Sequence, residues 1–149
     1  MNWLSKNAES IEALAAVVTA LVAVAALVGI KYQLDAADDM QRAQSAREAY
    51  RSHLAMASTL PEFAKPQYIC SLLESEKSVS YTSFVDHLLY SGEQMLEVAD
   101  GWETTFLGAL EPHNAYICDA SNFSDNSVKL DALLDTFRAK QCSEVKTCQ

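Results

Sequence analysis

The chain has 149 residues, half of them hydrophobic, with a formal net charge of -9 and a pI near 4.6. That length suits one domain with an appended segment. The acidic balance argues against nucleic-acid binding, which needs a basic surface, and the hydrophobic content excludes a disordered tail.

Residues 1–12 read as a short N-terminal tail. Ala13 to Ile30 is then a run of 18 residues without a charge, bounded by Glu12 and Lys31. As a helix it is about 27 Å long, enough to cross most of a bilayer core of about 30 Å. Tyr32 suits an interfacial position, so the spanning helix is placed at 13–32. Two other readings are weighed. A buried helix of a soluble protein would not be free of charge over 18 residues in so small a domain. A cleaved signal peptide would have a more basic start, a shorter apolar core and a small-x-small cleavage site. Lys6 and the amino terminus lie before the span, and Lys31, Arg42, Arg47 and Arg51 after it. The positive-inside rule therefore puts the C-terminal domain in the cytoplasm, with the periplasm as the alternative. Ala16 with Ala20, and Ala25 with Gly29, have the small-xxx-small spacing of a helix–helix contact, to itself or to another membrane protein.

No Gly or Pro occurs between Gly29 and Pro61. The helix is expected to continue through a stalk over 33–60, ending near Thr59. Its distal face, Ala46, Ala49, Tyr50, His53, Leu54, Ala57 and Leu60, has helical spacing and should pack against something.

Residues 61–149 read as an acidic helical domain. Pro61 and Pro66 predict a turn over 60–66, then a short helix over 67–73. A strong helix follows over 81–99, with Tyr81, Phe84, Val85, Leu88, Leu89, Met95, Leu96 and Ala99 on one face. Gly92 shares that face and would allow a close crossing. Asp100 and Glu103 form a capping pattern for the next helix. That helix carries Trp102, Phe106, Leu110, His113 and Ile117, with a kink at Pro112. After a polar loop over 121–127, a last helix over 127–140 points Val128, Leu130, Leu133, Leu134 and Phe137 inward. The expected fold is all-α: one transmembrane helix extended as a stalk into a bundle of about four or five helices.

Little in the chain carries chemistry. The three histidines and four cysteines lack the spacings of a zinc site, there is no phosphate-binding glycine loop, and Glu93 and Glu97 read as a solvated pair. No metal, cofactor or catalytic residue is assigned, and no enzymatic activity is expected. Tyr50, His53, Trp102 and His113 are the candidates for a pocket or interface. Cys70, Cys118, Cys142 and Cys148 could form two disulfides if the domain is periplasmic; Cys70–Cys118 with Cys142–Cys148 is one of three pairings. Otherwise they are buried thiols. Between Lys77 and Lys129 there is no Lys or Arg and there are eight acidic residues. That stretch keeps the domain soluble and could dock a basic partner.

The segments Glu9-Ser-Ile-Glu-Ala-Leu, Tyr32-Gln-Leu, Ala46-Arg-Glu, Pro61-Glu-Phe and Phe84-Val, with Trp102, His113 and Tyr116, carry a resemblance. The chain resembles a broad set of bacterial single-pass membrane proteins of unknown function, with a short tail, one membrane helix and a small helical domain. The resemblance implies a bacterial inner-membrane location and adds no catalytic residue. Three functions are open. The first is a non-enzymatic interaction module, an accessory subunit or adaptor of an inner-membrane assembly. The second is a self-associating membrane effector of stress or phage defence. The third is a small-ligand sensor or enzyme with a pocket near His53 and His113.

Overall fold

Proline and glycine mark where the two longest helices stop. In the computed structural model, which describes residues 7–119, 126–143, 145, 146 and 148, the first helix (α1) runs Ala8–Thr59. It ends where the chain meets Pro61: Leu60 is pushed out of the helical region, to φ -124° and ψ 63°. Pro61 then opens a single helical turn, α2 (Pro61–Ala64), within the segment expected to be only a turn. Next come α3 (Ile69–Leu73) and the long α4 (Ser78–Val98). Among the described residues there is no strand, so the fold is all-α.

Asp100 does not act as a cap. The chain turns at Gly101, whose φ of +82° strains any side chain with a Cβ, and α5 (Glu103–Leu110) starts behind Trp102 with no side-chain cap bond. The kink at Pro112 takes the form of a 3-10 turn, Glu111–His113, leading into α6 (Asn114–Ile117). Proline lacks the N–H that an unbroken helix would need there. Most of the expected polar loop lies outside the described residues. The last helix, α7 (Val128–Gln141), is capped by the Ser127 hydroxyl, which accepts from the Leu130 N–H.

By contacts the chain divides into two units, Met1–Gln41 and Arg42–Gln149. In the first, every residue from 13 to 30 is exposed. Its most apolar 18 residues reach a mean hydropathy of 2.7, so α1 is long and apolar enough to cross a membrane. Lys31 and Asp35 pair at 3.0 Å one turn beyond that run.

In the second unit α4 is the centre, packed against α3 and α7, while α7 also meets α5 and α6. The expected inward face of α4 is buried from Tyr81 to Leu96, while Ala99 is half-buried and caps the helix in an extended conformation. At Gly92 an added Cβ would lie 3.0 Å from the Phe106 ring, so glycine is what lets α5 approach. Leu130, Leu133, Leu134 and Phe137 are buried, but Val128 is 86% exposed. At the first position of α7 it precedes the turn that meets the core. Polar ties hold the far end of α4: Glu93 accepts the Ser127 N–H at 2.6 Å, and Lys129 Nζ donates to the Leu96 carbonyl at 2.7 Å. Glu93 is thus half-buried and engaged, not one of a solvated pair.

Candidate functional site

The distal turns of α1 supply one face of the site. Ala46, Tyr50, His53 and Ala57 recur at helical spacing, and Ala46 is wholly buried. Tyr50 meets Trp102 edge-on at 5.2 Å between centroids and Phe106 at 5.6 Å. One turn further, His53 lies 4.9 Å from Phe84 and is nearly parallel to His87 at 5.7 Å.

Phe84 is the hub. Besides His53 it contacts His113 at 5.9 Å and Phe63 at 6.2 Å. The Tyr81 hydroxyl sits 3.1 Å from His113 Nδ1, and the Tyr81 ring lies 5.8 Å from Tyr116. His53 of α1 and His113 of the 3-10 turn therefore meet at one phenylalanine, and His87 of α4 joins them through His53.

Burial disfavours the charged forms of His53 and His113. It pushes both His53 and His113 down to about 4, with a further push from His87 on His53 and from His53 on His113. Burial raises the Tyr81 phenol, with help from Tyr116, so its hydroxyl stays neutral in the hydrogen bond with His113 Nδ1, whose direction follows the His113 tautomer. The buried Nδ1 atoms of His53 and His87 have no hydrogen-bond partner. Asp86 is raised by burial; Tyr116 is raised by burial and by the carboxylates of Asp86 and Asp119.

The structure thus joins Tyr50 to Trp102, and His53 to His113 through Phe84. It does not make the four residues the wall of one cavity. An open groove of about 340 Å³ is lined by Leu96, Asp100, Glu103, Leu107 and Leu133 among others. Another of about 530 Å³ is lined by Pro61, Tyr68 and Leu72 among others. His53 and His113 are 5% and 1% exposed, sealed from any substrate. Among the described residues no three His, Cys, Asp or Glu side chains are placed to hold a metal ion. Sequence reasoning missed His87, Phe84 and Tyr81 as site residues. Tyr81 and Phe84 are legible in the sequence only as core, and His87, three residues beyond Phe84, only as a histidine without zinc-site spacing.

All four cysteines are paired, in a pattern other than the one named from sequence: Cys70–Cys148, with Cα atoms 5.1 Å apart, and Cys118–Cys142, at 5.5 Å. Cys118 follows α6 and Cys142 follows α7, and these helices pack together. Their ends therefore meet, which leaves Cys148 for Cys70 at the start of α3. Both bridges lie within 61–149, so no disulfide ties α1 to the rest.

In the first unit Ala16, Ala20, Ala25 and Gly29 are all exposed, and a Cβ added at Gly29 would meet nothing within 4 Å. No family model, curated protein or solved structure matches this chain.

Proposed function

We propose that this chain is a non-enzymatic, membrane-anchored interaction module whose helical domain lies on the oxidising side of a bacterial inner membrane. The observation that carries the anchor is the fully exposed apolar run of α1. Eighteen such residues are unfavourable in water and need lipid or another helix around them. Two disulfides in a small domain support the periplasmic side over the cytoplasmic one, because cytosolic thiols are kept reduced. The opposing charge signal rests on few residues: Lys6 and the amino terminus before the span, and Lys31, Arg42 and Arg47 nearest after it. The burial of His53 and His113 favours the interaction module over a sensor or enzyme built on those two residues.

Two measurements test this reading. Thiol titration of the denatured, unreduced protein from cells is expected to find no free thiol; four free thiols overturn the periplasmic placement. Isolation in mild detergent is expected to bring down a second membrane protein or a further copy; a partner-free monomer overturns the interaction module.

The open space at Gly29 favours one second reading, a self-associating membrane effector. It expects growth arrest on overexpression that Ala25→Leu or Gly29→Leu abolishes, and harmless overexpression overturns it.

A further inference from the structure

We propose that the seam between the distal turns of α1 and the helical bundle is an acid-released latch, held by His53 and His113 and opened by their protonation. Three observations converge on it. All three histidines of a 149-residue chain sit in one cluster, although they come from three separate elements. The buried Nδ1 atoms of His53 and His87 lack partners, so no acceptor waits for an added proton there. Both disulfides staple the bundle and neither reaches α1, so this seam is the joint that can part without breaking a covalent bond.

The groups facing the cluster set the sign. From α4 come His87, Asp86 and the Tyr81 phenol; from the 3-10 turn and α6 come His113, Tyr116 and Asp119; α1 contributes His53. The groups that bear on His53 and His113 electrostatically are His87 and His53, both bases. The carboxylates of Asp86 and Asp119 bear on Tyr116. A first proton therefore enters an apolar site against Phe84, and a second meets the charge of the first. An unfolded or released histidine takes its proton near 6.5, while the latched ones hold out to about 4. Closure is thus fully favoured above about pH 6.5 and is lost progressively as pH falls through that window. Once His53 is charged, Tyr50 and Ala46 on the same face leave the bundle with it, and Trp102 loses its cover.

The test uses the full chain in nonionic micelles with Trp3→Phe, so that Trp102 is the reporter. Acidification from pH 7.5 to 3.5 is expected to red-shift its emission reversibly, with a midpoint between about pH 4 and 6.5. The transition should be steeper than a single-proton titration, with both disulfides intact by mass. Removing the base with His53→Leu, or His113→Gln, which keeps a hydrogen-bonding group for Tyr81, should move the midpoint down by about half a pH unit or more. Proton NMR of the histidine rings in the unaltered chain provides a second readout that needs no variant. His53 and His113 should titrate at the Trp102 midpoint. A Trp102 transition outside the window overturns the latch and assigns acid sensitivity to carboxylates such as Glu62 and Glu93. So does His53 titrating near 6.5 with Trp102 unmoved. A midpoint that neither variant shifts overturns it as well.

Discussion

The two units of this chain use the same apolar residue types in opposite ways. In the span, Leu14, Leu21, Val22 and Leu27 are each more than 60% exposed, and helical spacing selects no face. In the bundle, Phe84, Val85, Leu88 and Leu134 are at most 1% exposed and periodicity selects the face. The difference lies in what satisfies each apolar surface. The bundle covers its own, whereas the span's surface is left for lipid or a neighbouring helix. A mutation in one unit should therefore leave the other's behaviour intact, and variants of graded severity can break or sharpen that separation.

The largest effect is expected at the bundle's hub. Phe84→Ala should cost about 3–5 kcal/mol, read as a lower denaturation midpoint, while the protein still pellets with membranes. Loss of membrane association would show that the units are not separable. The disulfides come next. Closing a loop of 78 residues constrains the unfolded chain more than closing one of 24. Loss of Cys70–Cys148 as a double Ser variant should therefore cost about 4 kcal/mol, about 1 kcal/mol more than loss of Cys118–Cys142. Equal costs would mean that the denatured chain is not governed by loop closure.

In the span, Leu21→Arg should disfavour insertion by about 2.5–3.5 kcal/mol and shift protein from the membrane to the soluble fraction. The bundle's near-UV signature should be unchanged. Gly92→Ala should cost about 1–3 kcal/mol, because its Cβ meets the Phe106 ring, whereas Gly29→Ala should leave bundle stability untouched. Removing the α7 cap with Ser127→Ala is the smallest change, about 1 kcal/mol in thermal stability. A larger loss there would show that the Glu93 contact to the Ser127 backbone depends on the hydroxyl.

The elements were legible in the sequence where one local rule operates. The run from Ala13 to Ile30, the end of α1 at Thr59, the inward face of α4 and the break at Pro112 each follow from composition, proline chemistry or helical period within a few residues. The rules were less secure at element edges. Asp100 has the right side chain for a cap, but the positive φ of Gly101 moves the helix start past it. Val128 has the right period, but lies one turn ahead of the contact between α7 and the core. The candidate site was half legible. His53 and His113 stood out as polar residues on apolar faces, and Tyr50 and Trp102 as aromatics on packing faces. Nothing local could pair them.

The sequence by itself determined an all-α chain, its membrane-length helix and its acidic helical domain. Hydrophobic period and helix-breaking residues are properties of neighbouring positions, and no distant contact is needed to read them. Only the tertiary structure decided that Cys70 pairs with Cys148, that Glu93 holds the start of α7, and that His53 and His113 share Phe84. Those outcomes depend on which helix ends and faces meet in space, through residues between 24 and 78 positions apart in the chain.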